Sequence, residues 1–260
     1  MNKNVLFVLL ALSPLSSFAK EVAIDSTKAP SETVAGKKVT DKEKAKPNSK
    51  WSGEAELGYL KTSGNTDTES LHTKGKVVNE RTDWKHQATI EIINKDENGT
   101  STADKTFVTG KSDYNIDDLS YLFITLSYEK DKFSGYDYQY TESIGYGYHL
   151  IKQADLKLDL EVGAGARQSK LSTGTSTSEG LAKGAADLEW KFSKTSVLTQ
   201  HLSVEAGEDN TISRSVTAVK VQVVGNLSAK LSHSIKNSSD VPVGTKKTDT
   251  ETVVTLVYSF

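Results

Sequence analysis

The stretch LKLDLEVGAGAR, residues 156–167, decides how this chain folds. Leu156, Leu158, Leu160, Val162, Ala164 and Ala166 fall on one side of an extended chain, and Lys157, Asp159, Glu161 and Arg167 fall on the other. Successive side chains of a strand point to opposite faces, so the stretch reads as a strand with one greasy and one charged face. The same alternation recurs. Leu122, Ile124, Leu126 and Tyr128 share a face, and Leu227, Ala229, Leu231 and Ile235 oppose Ser228, Lys230, Ser232 and Ser234. Trp84, Ala88, Ile90 and Ile92 oppose Lys85, Gln87, Thr89 and Glu91.

Twelve such segments occupy residues 51–260, and the interval from Trp51 to Pro242 contains no other proline. A soluble β-sandwich also alternates, but its strands average about five or six residues. These segments approach the length of about nine to eleven residues that crosses a membrane at a tilt. Connections after even-numbered segments read as short, whereas 62–67, 96–103, 169–177 and 238–247 read as longer and rich in Ser, Thr, Gly and Asn. Short periplasmic turns and longer outer loops are the pattern of a transmembrane barrel. The expected fold is therefore all-β: a transmembrane antiparallel up-and-down β-barrel of about 12 strands. Glu142 sits awkwardly on a face shared with Tyr140 and Ile144, and a bulge or a shifted register there is expected.

Aromatic residues mark two levels. Trp51, Trp84 and Trp190 lie at expected periplasmic strand ends, and Tyr59, Tyr128, Tyr136 and Tyr138 lie near the outer ends. Interfacial girdles of this kind belong to barrels. The stretch TVVTLVYSF, residues 252–260, is one more alternating strand, and an edge left open in hydrocarbon is costly, so it is expected to close on the first. Tyr258 and Phe260 would anchor it at the periplasmic interface, and the pattern resembles the Phe-ended signal read by the barrel-assembly machinery. Val253 and Val257 point inward with no evident reason.

The N-terminal residues have a different texture. Residues 1–19 carry Lys3, an apolar run from Val5 to Leu12 and a small-x-small end at Ser17-Phe18-Ala19, the pattern of a secretory signal peptide. Residues 20–50 lack aromatic side chains and carry eight Lys against five acids, which reads as a flexible periplasmic tail or as a basic segment for an envelope partner. Residues 51–260 carry a charge of −6, which argues against nucleic acid as a partner. The chain has no Cys, so disulfides, thiol nucleophiles and Cys-ligated zinc are excluded.

The segment GYLKTSGNTDTESL, residues 58–71, together with WSGEAELGY before it and TVVTLVYSF at 252–260, resembles the YdiY-like family of salt-induced outer-membrane proteins. That family is defined by a domain of unknown function. The resemblance covers roughly residues 51–260 and implies a Gram-negative outer-membrane barrel, with no established substrate and no catalytic residues to carry over. Within TSGNTD, Gly64 and Asn65 tolerate positive φ, and Thr62, Ser63, Thr66 and Asp67 can bond the turn backbone.

The polar faces supply the candidate site. The lumen-facing candidates are Glu54, Glu56, Lys74, Lys76, Lys85, Glu91, Lys111, Lys157, Asp159, Glu161, Arg167, Lys183, Asp187, Glu189, His201, Glu205, Lys220 and Lys230. Their mixed signs favour ion pairs between strands over a strong ion filter. The five His show no metal-binding spacing, so neither metal nor cofactor is expected. A barrel hydrolase built from His72, His201 and Glu205 is one reading. The leading one is a narrow channel for small solutes or ions, linked by the resemblance to salt or osmotic response, with lipid as its solvent and no enzymatic activity. A structural or partner-binding barrel without conductance is the alternative. Residues 51–260 are expected to need detergent for solubility and to refold in it as a β-rich species whose gel migration changes on boiling; a monomer soluble without detergent contradicts the barrel.

Overall fold

The computed structural model describes residues 49–64 and 67–260. The expected signal peptide and residues 20–48 of the tail lie outside the described residues, as do Asn65 and Thr66 of the first turn. Twelve strands follow: β1 (Lys50–Thr62), β2 (Thr68–Glu80), β3 (Trp84–Glu97), β4 (Thr100–Asn115), β5 (Ser120–Asp131), β6 (Tyr136–Lys152), β7 (Leu156–Leu171), β8 (Ser176–Trp190), β9 (Ser196–Gly207), β10 (Thr211–Val224), β11 (Leu227–Ser238) and β12 (Thr248–Ser259). Each pairs antiparallel with its sequence neighbour, and β12 returns to β1, so the sheet is a closed up-and-down barrel.

The period-2 pattern becomes an inside and an outside. Ile124, Leu126, Leu160, Val162, Leu202 and Leu231 are exposed on the outer wall. Their neighbours in the chain turn inward, where Phe123, Arg167 and Val257 have exposures of 0%, 1% and 0%. An apolar outer wall and a polar, charged interior suit a barrel immersed in hydrocarbon, where no backbone edge can be left unpaired. At one end of the barrel Trp84 packs on Tyr114 with ring centroids 5.0 Å apart, and Trp190 on Phe192 at 5.6 Å. Near the other end Tyr128 and Tyr138 stack at 6.2 Å.

The connections depart from expectation on the outer side. The ladders run past the apolar belt, leaving 98–99, 132–135, 172–175 and 208–210 as tight links, and only 239–247 as a long loop. The turn expected at 96–103 shrinks because Asn98 and Gly99 both adopt positive φ, 50° and 75°, the requirement of a two-residue hairpin. In the turn 63–67, Asp67 bonds the backbone as expected: its carboxylate accepts the Gly64 N–H at 3.2 Å. At the periplasmic turn 116–119, the Asp117 carboxylate accepts the N–H groups of Leu119 and Ser120, both at 2.8 Å. These bonds hold its carboxyl below the usual range.

Glu142 also differs. No bulge relieves it: Glu142 pairs in unbroken register with Leu126 and Ala166 and is exposed on the outer face. The irregularities of β6 fall instead between Tyr136 and Tyr138 and between His149 and Ile151. A carboxylate on the lipid face is unfavourable by about 1 kcal/mol or somewhat more, depending on depth. Glu142→Leu is therefore expected to stabilise the barrel by about 1 kcal/mol, read as a higher denaturant midpoint for unfolding from lipid bilayers; an unchanged midpoint places the carboxylate in the headgroup zone.

Candidate functional site in the lumen

Because β-strand neighbours point alternately, charges that are scattered in sequence converge inside the ring. Most of the expected residues meet as ion pairs. Lys220 of β10 donates to Glu54 of β1, and Lys230 of β11 donates to Glu56 at 2.8 Å. His72 and Lys74 of β2 both engage Glu91 of β3, at 3.0 and 3.1 Å. Lys111 of β4 reaches across to Glu161 of β7 and lies 3.3 Å from Asp113. Asp159 contacts His149 at 2.7 Å, Asp187 contacts His201 at 2.7 Å, and Lys157 contacts Glu189 at 3.5 Å. Lys183 donates to Ser143 at 3.5 Å, with its ammonium 5.2 Å from the Phe123 ring. Among the described residues Lys76 and Lys85 form no ion pair.

The three residues of the hydrolase reading do not assemble. His72 is held by Glu91, His201 by Asp187, and Glu205 by two arginines. No group of three or more potential metal ligands forms among the described residues.

Toward the outer mouth the charges form one connected network. Arg167, buried in β7, donates to Glu179 at 2.9 Å, to the Asn210 carbonyl at 3.0 Å and to Glu205 at 3.1 Å. Arg214 of β10 joins Glu205 at 3.4 Å to Glu129 of β5 at 3.0 Å. Lys236 of β11 donates to the same Glu129 at 2.5 Å, and Lys105 of β4 stands 3.6 Å away. In a ring of twelve strands β5 and β11 lie six steps apart, so the Lys236–Glu129 bond spans opposite walls. Loop 239–247 covers the same end. Pro242 rests where a Cβ on Gly135, in the opposite β5–β6 turn, would stand only 2.8 Å from it. Beneath it lies a cavity of about 340 Å³ lined in part by Tyr136, Glu179, Asp209 and Asp240.

Glu129, Lys236, Glu179 and Lys105 were not singled out from sequence. Alternation puts Glu129 opposite Leu126 and Tyr128, hence inside, but nothing along the chain marks it as the hub of three cations. Tyr121 and Phe123 were missed similarly. Their rings lie against Gly147 and Gly145, where an added Cβ would come within 2.1 and 2.7 Å of them, and Tyr121 donates to Glu161 at 2.8 Å.

Fold and interior together define a β-barrel of the outer-membrane type with an ion-paired lumen. The family model described as "Protein of unknown function, DUF481" matches residues 55–260, and the chain belongs to that family. It is 26% identical over 213 residues to "Uncharacterized protein YdiY" of Escherichia coli (strain K12), covering 80% of this chain and 82% of that protein. Among solved structures it resembles the NanC porin, with a TM-score of 0.51, 10% identity, and coverage of 79% of this chain and 98% of the porin. That likeness is one of fold. The translocator domain of the autotransporter NalP from Neisseria meningitidis is more distant, with a TM-score of 0.44, 12% identity and coverage of 85% and 90%.

Removing one partner of a buried pair costs about 3–5 kcal/mol, because the remaining charge loses its compensation. Arg167→Met leaves Glu179 with no cation, while Glu205 keeps Arg214, and is expected to lower unfolding stability in micelles by about that amount. Arg167→Met combined with Glu179→Gln should recover much of the loss; equal stability of wild type and Arg167→Met contradicts the network.

Proposed function

We propose that this protein is a narrow, normally closed channel for small ions or solutes in the outer membrane of a Gram-negative bacterium, with the Glu129 node as its gate. One observation carries the reading: Glu129 on one wall is held at once by Lys236 and Arg214 from the far wall. A passive pore keeps its charges apart around an open aperture. Here the charges meet, so conduction requires those pairs to separate. Twelve strands enclose more room than eight-stranded barrels, whose side chains fill the interior, and less than the open porins.

The link to salt follows from the same geometry. Ions weaken charge pairs that solvent reaches and act far less on buried ones; Glu129 is buried, so salt acts on the node through its partly exposed partners Lys105 and Arg214, and the gate opens more readily as ionic strength rises. In this reading the lumen-facing candidates set the internal field, and Tyr258 and Phe260 close the barrel and serve as the signal for the barrel-assembly machinery. No cofactor, metal or nucleic acid takes part, and the protein is not an enzyme.

Planar-bilayer recordings test the gate. Wild-type protein is expected to give small, infrequent current steps, more frequent in high KCl. Glu129→Ala frees three cations from their common anion and should raise conductance severalfold, with a shift toward anion preference. A Glu129→Ala barrel that is folded and as silent as wild type favours the structural barrel without conductance.

A further inference from the structure

The ring is sealed unevenly. β1 pairs with β2 from Lys50↔Glu80 to Thr62↔Thr68, and β12 pairs with β11 from Leu227↔Tyr258 to Asn237↔Thr248. The β1–β12 ladder holds only Glu54–Leu57 against Leu256–Ser259, extended by reciprocal bonds between Gly53 and Phe260 at 2.8 and 2.9 Å. Residues 58–62 and 251–255 face one another beyond it with no paired position. Unpaired edge groups in hydrocarbon are costly unless something else covers them.

Polarity inverts at the same place. Most of the outer wall is apolar, Glu142 and the linked Gln200, Ser215 and Thr217 apart. Here Thr248, Thr250 and Thr252 face outward, and Thr252 is held by His233 at 2.8 Å. Val253 and Leu60 face inward: the Val253 methyl lies 3.3 Å from where a Cβ on Gly58 would stand, and Leu60 remains 57% exposed. Gly58 itself lets β12 come close where the ladder stops: an added Cβ would stand 2.9 Å from the Val254 carbonyl oxygen and 3.1 Å from the Thr255 methyl. Beside Gly58, as its β2 register partner, is His72, 6% exposed, whose Nδ1 has no hydrogen-bond partner. The outward route along the barrel axis is barred by the Glu129 node and loop 239–247. Lys236 of that node aligns with Asp249, whereas the apolar pair of Leu60 and Val253 lies two inward side-chain layers closer to the periplasm.

We propose that the outer half of the β1–β12 seam is a lateral portal for single-chain amphipaths. The acyl tail enters from the outer half of the bilayer between Leu60 and Val253, beyond the close contact at Gly58, and a small hydrogen-bonding head lodges at His72 Nδ1. This accounts together for the missing ladder, the apolar strip inside a charged lumen, and a buried histidine nitrogen with no partner.

The Cys-free chain allows a clean test in the full protein. Tyr59→Cys with Val254→Cys ties the open half, and Ala55→Cys with Tyr258→Cys ties the half already paired. A diazirine-bearing monoacylglycerol in bilayers is the probe, and peptide mapping locates its label. Label at Leu60 and Val253 is expected in wild type and in the Ala55/Tyr258 tie. It should fall severalfold in the oxidised Tyr59/Val254 tie and return on reduction. Hydrogen exchange should be rapid at Tyr59 and Lys61, whose N–H groups point to β12, and slow at Gly53, Ala55 and Leu57, which point the same way within the ladder. His72→Phe should lower the inner label while leaving exchange unchanged; label equal to wild type overturns the head-group assignment. Label confined to the outer belt, or Tyr59 and Lys61 amides as protected as those of Gly53, Ala55 and Leu57, overturns the portal. Conductance is unaffected by the tie, so portal and gate fail separately.

Discussion

In a bilayer the backbone has no water to bond, and every N–H and C=O must find a partner within the protein. For a chain made of strands the solution is closure, and closure dictates the rest. A sheet rolled into a ring divides each strand's alternating side chains into an outer set facing lipid and an inner set facing one another. Leu160 and Val162 go one way, Glu161 and Arg167 the other. The position where the constraint is met least completely is where the ring must be joined, between β1 and β12. Phe260 completes that join by exchanging two backbone bonds with Gly53, whose missing side chain makes room for the Phe260 ring.

Charges placed inside a twelve-stranded ring are then forced into one another's company. An isolated charge loses hydration there without compensation, so the interior is arranged as pairs and chains of pairs. Near the periplasmic side many are local, such as Asp159 with His149 and Lys157 with Glu189, and they stiffen neighbouring strands. Toward the outer mouth they become long-range, because Glu129 is reached from the opposite wall by Lys236 and Arg214. That difference turns a lining into a barrier. It also makes the seam the weaker boundary of the lumen, since the axial route is crossed and the lateral one is not.

The fold was legible because its signal is local. Two-residue alternation over long segments, aromatic residues at segment ends and a closing strand at TVVTLVYSF each need only neighbours in the chain to be seen. Which side of each strand is charged was visible for the same reason, and the expected ion pairing among mixed signs rests on that. Two details were misjudged for physical reasons. The outer connections are tighter than their Ser, Thr and Gly content suggests, because ladder bonds continue past the apolar belt and Asn98-Gly99 makes a two-residue turn. Glu142 remains in register on the outer face, since a single carboxylate there costs less than breaking two ladders.

By itself, then, the amino-acid sequence determined the strands, their faces and the closed topology, because period and length are properties of contiguous residues. The tertiary structure alone decided which inward charges meet. Glu129 and Lys236 are more than a hundred residues apart, and only strand number and stagger bring β5 and β11 face to face. The same is true of the seam: the inward Val253 has no visible purpose in sequence, and acquires a setting only when the stagger of the ring leaves it across from Leu60, beyond the last paired position.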